Sequence, residues 1–424
     1  MEKYLVKKQS GKSKKVLFID EYNSFNDGEM ARVLSVATAL RVYQPDIDIS
    51  ILSSSPTLDA PRYQKSDITV IKRPWHRDGS IKADFIYFAV IATFMLLWYS
   101  LLRMFGKRGK LHQYDLHIHL TGDVINDRGL PPLIYHLYHL FFALLSGKKT
   151  VICAESLGPF NSKVTGFITR LILCRLDLIT IRELFTVKHL NKIGLSCSNV
   201  VLTGDPAFLL EPTPMSFPKK TDDIIIGITG NPDVIPYLAG CVSNGYTTRY
   251  YEYAQLFAGA IDNFIDCHKS VTVLLIAHVF RPDSDDIKMH EAIYSKIMHK
   301  DKVQLLREYY TADEVKGVIA SCDLFVGSRM HATIAAVSTG VPTVAVGHAH
   351  KFQGVLGDLL GPESLIDIRG NNCNMLGSKL QSAMNYAWDN RQAITKRLNE
   401  CLDDKKKQSL LNGAYLINLL NTRP

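Results

Sequence analysis

The sequence predicts an α/β protein with two doubly wound, Rossmann-like domains facing a cleft. Its 424 residues are more than one compact core usually holds. Short apolar runs alternate with longer amphipathic runs, as in parallel sheets built from βα units. A segment rich in proline and charge, 211–223, separates two such series. We therefore predict domains over 14–210 and 224–400, joined by a linker over 211–223 and followed by a helical tail over 401–424.

The predicted strands are short apolar runs that lie on both sides of the linker. They are KVLFID (15–20), DIDISIL (46–52), DITVIK (67–72), YDLHIHL (114–120), TVICA (150–154), LITIR (178–182), NVVLT (199–203), DIIIGI (223–228), VTVLLIA (271–277), VQLLRE (303–308), DLFVG (323–327) and TVAVG (343–347). In sheets of this kind, ligands bind beyond the carboxyl ends of the strands. Polar residues that follow the strands are therefore the candidate site residues.

Composition narrows the classes of partner. The net charge of +8 suits an anionic small molecule, an acidic polymer or a membrane surface. The absence of an RNP, zinc-finger or basic-helix motif argues against nucleic acid. Eight cysteines without C-x-x-C spacing favour reduced thiols in a cytosolic protein over zinc or disulfides. The basic amino terminus lacks the apolar region of a signal peptide.

Two apolar segments are candidate helices. The first, 85–102, is long enough to cross a membrane, but predicted strands lie on both sides of it and a crossing would split one sheet. We favour a buried helix or one lying in the plane of a membrane surface. The second, 131–147, opens with prolines that suit a helix start. Its His136 and His139 are interpreted as helix-face residues, since no carboxylate or third ligand accompanies them, and no metal site is predicted.

The stretch FVGSRMHATIAAVSTGVPTVAV, beginning at residue 325, puts two cationic side chains at a strand-to-helix turn. Ser328 has the chemistry of an N-cap, and the helix is expected from about Arg329 to Ser338. Arg329 and His331 then lie in the first turn, where free amides and the helix dipole attract anions and disfavour cations. A bound anion would remove that conflict. The alternative is that Arg329 pairs with a nearby carboxylate.

Other strand ends supply further candidates of two kinds. Arg182, His278 and Lys351 are basic, and together they describe a pocket for a compact polyanion such as a phosphate ester. The polar and acidic candidates suit a ligand rich in hydroxyl groups, and they are Asn26, Asp27, Glu155 and Asp205. Asp27 has an alternative role as a helix cap. No G-x-G-x-x-G or P-loop motif is present, which argues against dinucleotide and P-loop sites.

Taken in order, several motifs resemble the polysaccharide pyruvyl transferase family over most of the chain. They are NDGE, SLGPF, LDLITIRELFTVKHLNKIG, TGDPAF, IAHVF followed by DSDD, VGSRMHATIAAVSTGVPTVAV and HKFQGVLGDLL. The resemblance implies a glycosyltransferase-B-like fold with phosphoenolpyruvate as donor. It also implies transfer of pyruvate to a sugar of a surface polysaccharide or of its lipid-linked precursor. The family's Arg-x-His corresponds to Arg329 and His331, and its strand-end arginine to Arg182.

The implied chemistry gives the candidates roles. His331 is the expected general acid, and Arg329 and Arg182 would hold the donor and stabilise the departing phosphate. Ser328, His278 and Lys351 would complete the donor site, with no cofactor beyond the co-substrate. The expected location is cytoplasmic, with peripheral contact at the inner face of the membrane.

Two other functions are considered. A nucleotide-sugar glycosyltransferase of the same fold is disfavoured. Such enzymes resemble one another in having a glutamate that holds the donor ribose, and here Ala335 occupies that position, with Gly327 eight residues earlier. Neither residue can bind a diol. The other alternative is a non-catalytic relative that binds a sugar or a phosphate. The oligomeric state is not predicted.

Overall fold

The chain forms two compact α/β units. A computed structural model describes residues 13–20, 24–73, 110–195, 198–215, 223–238, 245–268, 270–281, 284–347, 350–369, 371 and 373–422. The first unit comprises Met1–Ser24, Arg32–Leu209 and Lys407–Pro424, and the second comprises Phe25–Ala31 and Leu210–Lys406. The sequence assigned 25–31 to the first domain and made 401–424 a separate tail. Both assignments differ from the structure, in which 25–31 belongs to the second unit and 407–424 to the first.

The first unit contains a parallel sheet of seven strands. Its strands are β1 (Lys15–Ile19), β2 (Asp48–Ser53), β3 (Thr69–Lys72), β4 (Leu116–His119), β5 (Lys149–Glu155), β6 (Leu178–Ile181) and β7 (Val200–Leu202). They lie in the order β3-β2-β1-β4-β5-β6-β7, and neighbouring strands are parallel. Its described helices are α1 (Asp27–Tyr43, whose first turn lies in the second unit), α2 (Pro56–Tyr63), α3 (Leu130–Leu145), α4 (Lys163–Leu173) and α5 (Phe185–Lys192).

The second unit repeats this plan with a six-stranded parallel sheet. Its sheet strands are β8 (Ile224–Thr229), β9 (Val271–Ile276), β12 (Val303–Leu306), β13 (Leu324–Gly327), β14 (Thr343–Gly347) and β15 (Leu365–Asp367), and a separate hairpin consists of β10 (Phe280–Arg281) and β11 (Ser284–Asp285). The sheet order is β12-β9-β8-β13-β14-β15. Its described helices are α6 (Tyr246–Cys267), α7 (Asp286–Lys296), α8 (Ala312–Ala320), α9 (Met330–Val337), α10 (His350–Leu360), α11 (Cys373–Asp389) and most of α12 (Arg391–Asn421).

Both sheets reverse their winding direction at a central pair of strands. The reversal lies between β1 and β4 in the first unit and between β8 and β13 in the second. Each is the point at which doubly wound sheets bind ligands, beyond the carboxyl ends of the strands. The predicted α/β class with two doubly wound parallel sheets is therefore confirmed.

The apolar helix predicted from its opening prolines is also confirmed. It is α3, which begins at Leu130 with proline in its first turn and packs apolar residues such as Leu137 and Leu140 into the core of the first unit. The other predicted apolar helix, 85–102, lies outside the described residues. Among the described residues, no helix combines the length and apolar character needed to cross a membrane.

The carboxyl-terminal part of α12 completes the first unit. The Asn412 side chain accepts hydrogen bonds from the hydroxyls of Thr180 and Thr203, both at 2.8 Å, and donates to the Gly204 carbonyl at 2.9 Å. Asn412 is fully buried. Because buried hydroxyls need partners, this one residue provides partners to a threonine in β6 and to a threonine that follows β7.

Candidate active site

The turn from β13 into α9 lies at the switch point of the second sheet. Helix α9 begins at Met330 and its cap position is occupied by Arg329, so the prediction that Ser328 is the N-cap was wrong. The buried Ser328 hydroxyl instead donates to the Thr229 carbonyl at 3.0 Å and accepts from the Tyr253 hydroxyl at 2.9 Å. These bonds tie the ends of the two central strands together.

The guanidinium of Arg329 is neutralised by acids of the same unit. Its Nε and Nη2 donate to Asp286 at 3.0 and 2.7 Å, Nη1 donates to Asp233 at 2.6 Å, and Nη2 also donates to the Ser284 hydroxyl. Burial lowers the pKa of Arg329, but the charges of Asp286 and Asp233 outweigh it and the pKa lies above its ordinary value. The alternative, in which Arg329 pairs with a nearby carboxylate, is therefore confirmed, and binding of an anion at this turn stays a prediction.

The two carboxylates that hold Arg329 differ in accessibility. Asp286 is fully buried and also accepts from the backbone amides of His278 and Val279, at 3.1 and 3.0 Å. The Asp233 side chain is 44% exposed. Asp286 is thus a fixed part of the scaffold, whereas Asp233 contacts Arg329 from the solvent-exposed side.

The start of α1 packs against the His331 ring. A Cβ added at Gly28 would lie 2.4 Å from His331 Nδ1, so only glycine leaves room for the ring at this place. The Asp27 amide donates to the His278 carbonyl at 3.0 Å. Asn26 precedes the helix and its side-chain oxygen accepts from the Gly28 amide at 3.2 Å. The cap is therefore Asn26, and the alternative role of Asp27 as the cap was wrong.

His278 is a buried imidazole with unmet hydrogen-bonding capacity. It is 3% exposed, and neither ring nitrogen has a hydrogen-bond partner among the described residues. Burial, followed by the charges of His331 and Arg329, lowers its pKa well below the ordinary value. The ring is therefore neutral, with one donor and one acceptor that a polar ligand can use.

In the first unit, Arg182 and Asp205 form an ion pair, although the sequence predicted Arg182 to bind the donor and Asp205 to bind the acceptor. Arg182 follows β6, and its Nη1 donates to Asp205 at 2.7 Å. Its Nε donates to the Ser156 hydroxyl and its Nη2 to the Gly122 carbonyl, both at 3.0 Å. Because Asp205 balances the charge of Arg182, neither residue is freely available to a ligand in this arrangement.

Arg32 is a candidate that sequence reasoning missed. This fully buried side chain donates from Nη2 to the carbonyls of Cys153 and Ala154, at 3.2 and 3.3 Å. Its Nε and Nη1 have no hydrogen-bond partner among the described residues. A Cβ added at Gly122 would lie 3.8 Å from Arg32 Nη1 and 4.0 Å from Arg182 Nη2, so both guanidinium groups border the same small space. Burial, and then repulsion from Arg182, lowers the pKa of Arg32.

A signal for Arg32 was present in the sequence. It is the one basic residue within the otherwise small and apolar stretch MARVLSVATAL, residues 30–40. Charged residues are rarely buried without a partner. A lone arginine on an apolar helix therefore indicates a buried cation that needs an acidic or polar partner.

Glu155, predicted to bind the acceptor, belongs to a buried cluster of the first unit. It ends β5, and its Oε1 accepts from His119 Nδ1 and from the Thr121 amide, both at 2.7 Å. The other ring nitrogen of His119 donates to Asp20 at 2.9 Å. Burial lowers the pKa of His119, but the two carboxylates outweigh it and raise the pKa to about 9.

The histidines of α3 join the same cluster. His136 Nδ1 lies 2.6 Å from Asp20 Oδ2, and His139 Nδ1 lies 3.2 Å from Asp20 Oδ1. The interpretation that no carboxylate or third ligand accompanies them was wrong. Their partners come from the ends of β1 and β4, far away in sequence, which local spacing cannot show.

The structure thus divides the predicted site residues between the units. The second unit holds Asn26, Asp27, His278, Ser328, Arg329 and His331, and the first holds Glu155, Arg182 and Asp205. Lys351 lies in the first turn of α10, and its side chain is outside the described part of the structure. An open groove of the second unit lies at the opposite, amino-terminal ends of β13 and β14 and involves none of the predicted site residues that are described.

Two parallel sheets with this winding define the glycosyltransferase-B-like class, and solved structures share the fold. A UDP-GlcNAc 2-epimerase from Neisseria meningitidis bound to UDP-GlcNAc matches with a TM-score of 0.59 and 10% identity, covering 96% of this chain and 99% of that one. A glycosyltransferase from Rickettsia africae matches with a TM-score of 0.55 and 10% identity, covering 97% and 100%. At such low identity these likenesses show the fold alone.

The family follows from the sequence itself. The model of the polysaccharide pyruvyl transferase family matches residues 28–350, and the chain belongs to this family. It is also 24% identical over 421 residues to the amylovoran biosynthesis protein AmsJ of Erwinia amylovora, covering 92% of this chain and 96% of that protein. Family membership makes the chain a transferase of polysaccharide biosynthesis.

Proposed function

We propose that this protein transfers pyruvate from phosphoenolpyruvate to a sugar hydroxyl of a surface polysaccharide or of its lipid-linked precursor. Beside the family, one observation carries the proposal: two donor nitrogens of the buried Arg32, Nε and Nη1, have no partner in the part of the chain that the structure describes, and Arg32 lies next to Arg182. Arginine binds carboxylate and phosphate groups through paired N–H donors. An acidic group of the donor would satisfy Arg32 and offset its repulsion with Arg182.

His331 is the proposed general acid. The methylene carbon of the donor gains a proton from His331, and C2 becomes oxocarbenium-like. A sugar hydroxyl bonds to C2 and gives its proton to the phosphate, which leaves with the electron pair of the broken bond between C2 and the phosphate oxygen. A second hydroxyl of the sugar then bonds to the C2 cation and returns its proton to His331, which closes the ketal. Because burial and neighbouring charges hold His278 neutral, His278 is not assigned the role of general acid.

Arg329 has a revised role in this proposal. Asp286 holds Arg329 in place, and the donor's phosphate replaces the exposed Asp233 carboxylate as the partner of Arg329 Nη1. The Ser328 hydroxyl is committed to the scaffold and is no longer assigned to the donor. Lys351 stays a proposed donor contact, and Asn26 and Asp27 stay proposed acceptor contacts.

The test measures phosphate release from phosphoenolpyruvate in the presence of candidate glycans. His331→Ala should abolish release while circular dichroism stays unchanged, because the residue lies at a helix start. Arg32→Lys should raise the KM for phosphoenolpyruvate about 10- to 100-fold, as expected for a lost charged hydrogen bond. Arg41→Lys is the matched control on α1, since Arg41 donates only to the carbonyls of Ser66 and Asp67 among the contacts described.

Two results would count against this function. Wild-type turnover by His331→Ala removes the general-acid role. Transfer from a nucleotide sugar without phosphate release from phosphoenolpyruvate would instead support the glycosyltransferase alternative.

We also propose that the reaction takes place in the cytoplasm, on acceptors at the inner face of the membrane. Cys153 and Cys174 are free thiols, which fits a reducing compartment. Cell fractionation should recover the protein in the cytosolic and peripheral membrane fractions, with the latter released by salt. Recovery in a secreted fraction would contradict this location.

A further inference from the structure

A buried group of histidines and acids lies at the switch point of the first sheet. Asp20 directly follows β1, His119 ends β4, and His136 projects from α3. All three side chains are at most 2% exposed. We propose that Asp20, His119 and His136 form a binding site for a divalent transition-metal ion, with zinc the best match. This inference does not rest on the proposed pyruvyl transfer.

The ligand atoms already lie close to the positions that such an ion requires. Asp20 Oδ2, His119 Nε2 and His136 Nδ1 are all within 4.8 Å of one another. The carboxylate oxygen is 2.9 Å from His119 and 2.6 Å from His136. Tetrahedral zinc with bonds of about 2.0–2.1 Å needs ligand atoms roughly 3.3 Å apart. Outward shifts below about 1 Å at the two distances to Asp20 would therefore make room for the ion.

The types of ligand select the ion. Two imidazole nitrogens and one carboxylate oxygen suit zinc and its neighbours in the transition series, whereas magnesium and calcium prefer oxygen alone. Three protein ligands leave a fourth coordination position for water or another group, as in catalytic zinc sites.

The neighbours of His119 are those expected around a metal-bound histidine. Its Nδ1 donates to Glu155 Oε1 at 2.7 Å, which directs the other nitrogen, Nε2, towards Asp20 and His136. Glu155 Oε1 is itself fixed by the Thr121 amide at 2.7 Å. A carboxylate that orients a ligating histidine in this way is a common feature of metal sites.

Two buried carboxylates near the three ligand atoms would offset part of the charge of a bound cation. Asp20 and Glu155 are two buried carboxylates, and Glu155 Oε2 has no hydrogen-bond partner among the described residues. Among the described residues, Arg73 Nη2 also lies 3.9 Å from Asp20, in addition to the His119 ring, and Arg32 acts on Glu155. Within the described ranges, His139 is a further titratable group beside Asp20. Asp20 Oδ2 contacts the rings of both His119 and His136, and a divalent ion would add positive charge beside this oxygen.

The competing explanation is an ion network that needs no metal. In that case, a protonated His119 bridges Asp20 and Glu155 permanently, and the cluster only joins β1, β4 and α3. The two explanations differ in metal uptake by the wild-type protein.

The experiment uses the untagged full chain, treated with chelator, desalted and then loaded with Zn²⁺. We expect about one bound zinc per chain by mass spectrometry of metal content. His119→Gln and His136→Asn should lose this zinc. Glu155→Gln should keep the ligands but weaken zinc affinity about 10- to 100-fold in a competition titration.

The matched control is His117→Gln. His117 is equally buried on β4, two residues before His119, but its Nε2 contacts the Leu111 carbonyl at 3.1 Å and it is not part of the cluster. This variant should bind zinc as the wild type does, and circular dichroism establishes that each variant folds. Loading the wild type with Co²⁺ gives a second readout that needs no variant, because the visible absorption of cobalt reports nitrogen ligands in a tetrahedral site.

Three results would overturn the proposal. They are absence of zinc from the loaded wild type, equal loss of zinc in His117→Gln, and full retention in folded His119→Gln and His136→Asn. A cobalt spectrum of the fully hydrated ion alone would do the same.

Discussion

Gly28→Ala tests whether the His331 ring must stay where the structure puts it. The added Cβ would lie 2.4 Å from His331 Nδ1 and 2.9 Å from His331 Cβ, whereas ordinary contact begins at 3.4 Å. The ring must therefore move by about 1 Å, the difference between 3.4 and 2.4 Å. Since the Cβ of His331 is also too close, rotation of the ring alone does not relieve the clash.

The expected effect falls on catalysis more than on stability. A displacement of about 1 Å in a catalytic group lowers turnover roughly 100-fold. Overpacking costs about 1–3 kcal/mol, and alanine regains about 1 kcal/mol of helix propensity over glycine. The free energy of unfolding should consequently fall by no more than about 2 kcal/mol.

The assay compares kcat for phosphate release with the midpoint of urea unfolding. Gly259→Ala in α6 is the control, because a Cβ added there meets nothing within 4 Å. It should keep wild-type kcat and lose no stability. If folded Gly28→Ala turns over within threefold of wild type, the placement of His331 as general acid is wrong.

Two further substitutions test the second unit. Burial lowers the pKa of Lys316, which donates to the Leu210 carbonyl, to about 7. Between pH 7 and about 10 the unfolded chain therefore binds more protons than the folded chain, and the free energy of unfolding rises with pH. In urea titrations, Lys316→Met should remove about 2 kcal/mol of that rise between pH 7 and 9. The same dependence of unfolding free energy on pH in the variant and the wild type would contradict this prediction. Gly317→Ala puts a Cβ 1.8 Å from the Thr213 carbonyl oxygen. It should destabilise the protein by about 3 kcal/mol in the same titrations, and wild-type stability would show that the 210–215 segment yields easily.

The sheets were largely predictable because each central strand is a continuous apolar run. All twelve predicted strands are present in the structure, with small shifts at their ends. The strands that were missed are too short for periodicity to reveal: β15 has three residues, and β10 and β11 have two each. The crossing of 25–31 and 407–424 between units was also missed, since no local signal states which core a helix joins.

The candidate site was predictable in position but not in its pairings. Arg329 and Arg182 do follow strands, as their places in the sequence indicate. Their carboxylate partners lie 43 and 23 residues away, and the partner of His136 lies 116 residues away. Spacing along a chain identifies the edge of a sheet on which a side chain lies. Which charged groups form ion pairs at that edge depends on tertiary packing. Arg32 and the cluster of Asp20, His119 and His136 were therefore found only in the structure.

The position of Asn412 has a consequence for biosynthesis. Thr180 lies in β6 and Thr203 follows β7, so both are made early, yet their hydrogen bonds to Asn412 form only after residues beyond 407 leave the ribosome. The earlier-made half therefore emerges with unfinished hydrogen bonding while the other half is translated. We expect nascent chains stopped before residue 407 to recruit chaperones and to be cut by proteases in the half that was synthesised first.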